Sequence, residues 1–160
     1  MPGKRPRAQL PLLDRLLDAD PAVSEHPVQT AAEALERLRI AVRRDLEALL
    51  NARRRRRPLP ALSHELATSI LNYGIPDPVS GTYAIPELRA ALAREIELTI
   101  RCFEPRLAKV SVELVPSSDD LGGVLRMKID GILRADPVPE AVAFETLLEP
   151  ITRDVSVRET

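Results

Sequence analysis

The side chains best suited to chemistry are few and scattered in this chain of 160 residues. It contains two histidines, His26 and His64, and a single cysteine, Cys102. A nucleophile needs a base beside it, and a catalytic histidine needs a group that orients its ring. Neither histidine has an evident orienting partner. Cys102 precedes Phe103 at the end of a predicted helix, where we expect a buried packing thiol. We therefore predict no catalytic residue.

The sequence also lacks the motifs that hold phosphates, metals or activated nucleophiles. It has no Gly-rich phosphate loop, no GxSxG elbow and no HExxH pair. A single cysteine excludes an internal disulfide and a cysteine-rich metal site, which fits a reducing compartment such as the cytoplasm. We predict no cofactor, no metal and no small-molecule substrate.

Composition disfavours nucleic acid and membranes as ligands. The 23 basic and 24 acidic residues leave a formal net charge of -1, so no overall field draws the chain to nucleic acid. With two Tyr, two Phe and no Trp, stacking platforms for bases are poorly supplied. No apolar run is long enough to cross a bilayer, and no signal-peptide hydrophobic region follows the basic start. We expect neither nucleic-acid binding nor membrane insertion.

The most unusual local feature is the charged triplet Glu104, Pro105 and Arg106. It places opposite charges around a rigid proline where a predicted helix gives way to a strand. A local salt bridge or cap at this corner is sufficient to explain it and would contribute at most about 1 kcal/mol if exposed. The residues by themselves slightly favour this structural role over a binding role.

Helical patterns precede the triplet. Thr30 and Glu33 have the spacing of a capping box, so we predict a helix from there to about Asn51. A shorter helix is predicted around Leu66, ending in a left-handed cap at Gly74, and a second long helix leads up to the triplet. Apolar residues recur every three or four positions along the first helix: Leu35, Leu38, Val42, Leu46 and Leu49.

After the triplet the hydrophobic period changes to two, as in half-buried strands. We interpret Gly131 as a bulge and place further strands at 142–148 and around Val155 and Val157. The sequence thus predicts an α+β fold, with N-terminal helices packed on a small antiparallel β-sheet with open edge strands. The alternating residues of the first two strands are Val110, Val112 and Leu114, then Leu125, Met127 and Ile129.

The chain divides into an arm and one domain. Residues 1–27 carry five prolines and a leucine-rich piece, so we interpret them as an N-terminal arm, partly flexible with a short helix. We expect residues 28–160 to form a single α+β domain.

Five consecutive arginines, Arg53 to Arg57, follow the first predicted helix, and Pro58 prevents its continuation. A solvated basic loop is one interpretation of this run. The other is that Arg54, Arg55 and Arg56 dock on an acidic face of a partner, and the sequence gives the two equal weight.

Three segments together resemble the TssE family of type VI secretion baseplate proteins. They are Val42 to Asn51 (VRRDLEALLN), Ile70 to Pro76 (ILNYGIP) and Phe103 to Leu107 (FEPRL). The TssE family groups with phage baseplate wedge proteins of the sheath-initiator kind, which are sometimes labelled lysozyme-like. The resemblance covers about residues 10–158, and the charged triplet matches the signature motif of the family.

This resemblance implies a structural subunit rather than an enzyme. Such a subunit binds other wedge subunits in the cytoplasm, at a baseplate docked on the inner membrane, and presents a surface on which the first contractile sheath subunits assemble. We hypothesise that Glu104, Pro105 and Arg106 contact wedge or sheath helices. The sheet of residues 110–157, with Val155 and Val157 in its last strand, would then serve as a template for strand exchange.

Two alternatives remain open. An adaptor of the same fold could bind a single soluble partner instead of a ring. A cell-wall glycosidase, suggested only by the lysozyme-like label, needs two facing carboxylates roughly 5 to 10 Å apart. Because Arg106 lies beside Glu104 and favours an ionised carboxylate, Glu104 would be a poor general acid, and the enzyme is the less favoured alternative.

Overall fold

The computed structural model describes residues 30–54, 64–76, 85–116, 125–135, 138–148 and 155–159. Helices come first and an antiparallel sheet follows, which confirms the predicted α+β class. The helices of these residues are α1 (Ala31–Asn51), α2 (His64–Ala67) and α3 (Pro86–Phe103), with a 3-10 helix at Ile70–Asn72. The strands are β1 (Leu107–Pro116), β2 (Leu125–Leu133), β3 (Glu140–Leu148) and β4 (Val155–Glu159). The predicted N-terminal arm lies outside the described residues.

Helix α1 begins at the predicted capping box. The backbone N–H of Glu33 donates to Thr30 Oγ1 at 3.2 Å, and the N–H of Thr30 donates to Glu33 Oε2 at 2.9 Å. The two residues therefore satisfy donors that the first turn of a helix leaves unpaired. The predicted apolar stripe faces the core: Leu38, Val42, Leu46 and Leu49 are buried and Leu35 is partly buried, and Leu50 is buried beside them.

The short helix predicted around Leu66 is interrupted. Helix α2 spans four residues, and a separate 3-10 helix follows it. Ser69 has an extended backbone, with φ of -83° and ψ of 165°, and its hydroxyl accepts a hydrogen bond from the N–H of Leu71. A serine in this position caps a new turn and so ends the first one. Gly74, with φ of +102°, has the left-handed conformation predicted for it.

The strands form one antiparallel sheet in the order β1-β2-β3-β4. The bulge lies on β1 rather than at Gly131, because the register shifts between Ala108 and Ser111. Lys109, with φ of +50°, and Val110 thus lie opposite the single residue Gly131. A bulge moves the following residues by one position, which explains why two residues rather than one separate the buried Leu107 and Val110 before the alternation resumes.

One face of the sheet is covered by α1 and α3. Helix α1 packs against β4, α3 packs against β1, and the two helices also touch each other. Arg39 of α1 adds polar contacts to the ends of two strands, with an ion pair to Glu140 and another to Glu159 at 3.7 Å. Fully buried side chains fill the space between the layers: Leu46, Leu50, Ile75, Ile96, Ile100, Met127, Ile129, Leu133 and Phe144. No helix among the described residues is long and apolar enough to span a membrane.

The outer edge of β4 is covered by side chains of α1. Asn51 Nδ2 donates to the carbonyl of Val155 at 2.8 Å, and the N–H of Val155 donates to Asn51 Oδ1 at 2.8 Å. The N–H of Val157 lies 3.5 Å from Glu47 Oε2. Because the side chains of Val155 and Val157 are buried, β4 offers neither these side chains nor these bonded backbone groups to another chain.

Candidate functional site at the helix to strand corner

Three segments that are distant in sequence meet at the junction between the end of α3 and the start of β1. Between them lies a cavity of about 210 Å³, which we call the corner cavity. One end of its wall is aromatic and apolar, and the other end is charged. The lining residues are Asp45, Ala48 and Leu49 of α1, Tyr73, and Phe103, Glu104 and Arg106. They come from the same three segments that were singled out in the sequence.

Glu104 is the buried member of the charged triplet. It follows the last residue of α3 as its C-cap and is only 3% exposed. Its Oε1 accepts from Arg106 Nε at 2.5 Å and from the backbone N–H of Arg106 at 3.2 Å, and its Oε2 accepts from Arg106 Nη2. Such a two-pronged pair fixes the guanidinium in one orientation. The predicted salt bridge at the corner is therefore present, and it is buried on the carboxylate side.

Arg106 extends this pair into a network that reaches α1. Its Nη2 donates to Asp45 Oδ2 at 2.7 Å, and Arg44 donates from Nε to Asp45 Oδ1 at 3.0 Å. We call these four residues, Glu104, Arg106, Asp45 and Arg44, the corner network. Burial by itself would lower the pKa of Arg106, but the hydrogen bonds to Glu104 and Asp45 outweigh it and raise the pKa. Arg106 thus remains a fixed cation that balances two carboxylates.

Asp45 is the member that sequence reasoning missed. It lies 61 residues before Arg106, so no local spacing connects the two. The available signal was its place in α1, where it stands off the apolar stripe inside the segment VRRDLEALLN. A charged residue that abuts a core stripe faces a neighbouring element more readily than open solvent.

Tyr73 and Phe103 form the aromatic wall of the corner cavity. Their ring centroids are 5.3 Å apart, and the rings meet edge to face, as aromatic quadrupoles favour. Burial raises the pKa of Tyr73 above its ordinary 10.0, and the negative charges of Asp45 and Glu104 raise it further. The folded state therefore holds the phenol proton more tightly than the unfolded state does.

We expect the stability of the protein to fall as the pH rises above about 10, where the unfolded tyrosine loses its proton before the folded one. Tyr73→Phe should remove the part of this decline that the phenol causes. Since the chain has only two tyrosines, Tyr83→Phe leaves Tyr73 as the single phenol. Its phenolate absorbance should then appear at higher pH in folded than in denatured protein. Coincident titrations would contradict the assignment of Tyr73 to this charged wall.

Of the predicted arginine site, the structure describes Arg54, whose side chain is bonded to other parts of the fold. Arg54 points inward, where it forms an ion pair with Glu95 of α3 and donates from Nη1 to Asn72 Oδ1 at 3.3 Å. Its backbone N–H donates to the carbonyl of Ile75 at 2.9 Å. Arg54 thus joins α1, the 3-10 segment and α3. Arg55 and Arg56 lie outside the described residues, so their docking role stays a prediction.

The remaining chemical candidates are not gathered at the corner cavity. Cys102 was expected to be buried, but its side chain is exposed, because at this point α3 turns Phe103 and Thr99 inward. Among the described residues, no group of His, Cys, Asp and Glu side chains could hold a metal ion. Both oxygens of Glu104 accept hydrogen bonds from one guanidinium, an arrangement that positions a cation rather than delivers a proton.

Comparison with known families gives one match. The model of the family described as baseplate wedge protein gp25 matches residues 36–138. This span includes most of α1, all of α3, β1 and β2, and every member of the corner network. No curated protein matches the chain significantly.

Proposed function

The chain belongs to the family of baseplate wedge protein gp25, and from this premise we propose that it is the sheath-initiating baseplate subunit of a type VI secretion system. A structural part in a baseplate follows from the family. The observation that carries the finer proposal is the convergence of the three TssE-like segments on the corner cavity and its charged network. Residues that share a family pattern for packing alone would be spread through the core instead.

The corner network supports a rigid docking surface. Pro105 is exposed, and the side chain of Arg106 keeps 23% of its surface in solvent, whereas Glu104 is buried. We infer that Arg106 and Pro105 contact a wedge subunit, and that Glu104 acts on that contact by holding the guanidinium in place. A preoriented arginine loses little side-chain entropy when a partner binds, which makes it a suitable contact at an interface.

In this role the protein joins two kinds of partner. The corner would contact other wedge subunits of the baseplate, and an edge of the sheet would accept a strand from the first sheath subunits. The corresponding place in the cell is the cytoplasmic side of the inner membrane, where the baseplate of such a system docks.

The proposal is tested by deleting the gene in a strain that carries a fluorescent sheath subunit. We expect no extended sheaths in the deletion strain and normal sheaths after complementation with the wild-type chain. Baseplate foci, followed through a labelled wedge subunit, give a second measurement. Sheaths that form at wild-type frequency without the protein would overturn the proposal. Release of peptidoglycan fragments by the purified chain would instead support the glycosidase.

A further inference from the structure

Helix α3 carries a second apolar stripe that lies outside the core. Its buried side contributes Ala93, Ile96 and Ile100 to the interior of the fold. Another side of the same helix is also apolar, but it is exposed. The residues of this second stripe recur at helical intervals and therefore share one side of the helix: Leu88, Ala91, Leu98 and Cys102.

The turn before Tyr73 extends the stripe into a patch. The carbonyl of Ala67 lies 3.9 Å from Cys102 Sγ, and Asn72 Nδ2 donates to the same carbonyl at 2.8 Å, so this turn is held against α3. Ile70 and Leu71 lie within the turn and are 86% and 48% exposed. Single exposed apolar residues are ordinary, but a contiguous group indicates a surface that another segment covers. We call the following residues the flank patch: Ile70, Leu71, Leu88, Ala91, Leu98 and Cys102.

The N-terminal arm contains a segment of matching chemistry. With the period of a helix, residues 11–18 place their apolar and charged side chains on opposite sides. Pro11 suits the first turn of such a helix. Isolated helices shorter than about 12 residues are marginal in water, so this one requires an apolar surface to pack against. The apolar side consists of Leu12, Leu13, Leu16 and Leu17, and the charged side of Asp14, Arg15 and Asp18.

The flank patch lies within reach of this segment. Residues 18–29 connect it to the start of α1 and span up to about 40 Å when extended. Helix α1 has 21 residues and is therefore about 30 Å long. Just beyond its C-terminal end, Arg54 forms the ion pair with Glu95, in the middle of the exposed stripe. The tether holds the leucines at an effective concentration near the millimolar range, so a modest apolar contact suffices.

We propose that residues 11–18 of the arm dock as a helix on the flank patch of the same chain. The four leucines cover Leu98, Cys102 and Ile70, and the charged side of the segment faces solvent. The arm thereby closes an apolar surface through which free subunits would otherwise associate. This inference is independent of the proposed function, because it concerns the chain before any partner is bound.

The only cysteine of the chain reports on docking, because Cys102 belongs to the flank patch. A docked arm blocks the thiol from the reagent DTNB, so labelling proceeds from the open form. An arm that is docked about nine-tenths of the time slows labelling about tenfold. Leu13→Gln with Leu16→Gln should therefore react about tenfold faster than the wild-type chain.

Asp14→Gln with Arg15→Gln is the matched control for this variant. It changes two residues of the same segment but keeps the leucines and the net charge, so it should react at the wild-type rate. The urea midpoint of each variant verifies that the domain remains folded. Equal labelling of the wild-type chain and the leucine variant would overturn the proposal and leave the flank patch to another protein.

Leu98→Gln tests the contact from the side of the patch. Leu98 is 63% exposed, so the fold should tolerate the change. The substitution should speed labelling in the wild-type chain but have no further effect in the leucine variant, because both changes disrupt one contact. The same acceleration in both backgrounds would mean that Leu98 acts on the thiol without the arm, which contradicts the proposal.

Methyl NMR locates the docked arm by means of two exposed isoleucines. Ile70 belongs to the flank patch, whereas Ile40 lies on α1 and is 50% exposed. The leucine variant should shift the δ1 methyl signal of Ile70 and leave that of Ile40 unchanged. The protection of Cys102 should also be independent of protein concentration. Protection that disappears on dilution would assign the occupant to a second copy of the chain and overturn the proposal.

Discussion

Arg106→Ala is expected to lower the free energy of unfolding by about 3 kcal/mol, the lower end of the range for breaking a buried ion pair from one side. Glu104 is 3% exposed, so removal of the guanidinium leaves its carboxylate in the protein interior with one backbone N–H as a donor. Asp45 also loses its contact with the corner. Urea unfolding with linear extrapolation measures the change.

A second substitution shows whether the buried charge is the cause. Glu104→Gln has nearly the same shape as the native side chain but no charge, so Arg106→Ala with Glu104→Gln should be more stable than Arg106→Ala alone by about 1 kcal/mol or more. Arg43→Ala, at an exposed position of α1, should change stability by less than about 0.5 kcal/mol. Additive losses in the double variant would show that the network does not act as a unit.

Gly74→Ala should destabilise the fold by about 3 kcal/mol, because two independent costs combine at this position. The φ of +102° is unfavourable for any residue with a Cβ atom. In addition, a Cβ would lie 2.5 Å from the carbonyl oxygen of Ala52, which accepts the N–H of Ile75 at 3.0 Å. The backbone would have to move, and the burial of Ile75 and the position of Tyr73 would change with it.

Gly131→Ala provides a matched control for this prediction. A Cβ at Gly131 would meet its nearest atom, Leu107 Cδ2, at 3.6 Å, an ordinary van der Waals contact. We expect a change of less than about 1 kcal/mol. Thermal or urea unfolding of the two variants side by side is the measurement. Similar losses in both would mean that the close approach to Ala52 is relieved at little cost.

The sequence predicted those features that depend on neighbouring residues. The capping box of Thr30 and Glu33, the stripe of α1 and the alternation of β1 and β2 each follow from a local period or a fixed spacing. The triplet was also interpreted correctly as a salt bridge at a corner. These elements were sufficient for the α+β class.

Contacts between distant segments could not be predicted in the same way. The pairing of Asp45 with Arg106 and that of Asn51 with Val155 join α1 to elements far along the chain, and no period relates the partners. The bulge was assigned to Gly131 because glycine marks irregularity, but the extra residue lies on the strand opposite. The exposure of Cys102 depends on the rotation of α3 about its axis. Cys102 lies on the exposed side, one position before the partly buried Phe103.

The amide of Asn51 makes the two edges of the sheet unequal. A sheet with two open sides could be extended from either, and copies of the chain could also join one another into fibres. Here the amide of Asn51 forms the hydrogen bonds to Val155 that a neighbouring strand would form. A side chain, unlike a strand, has no outer edge to which a further strand could pair. Under the proposed function, α1 therefore excludes one edge of the sheet from the growth of the sheath.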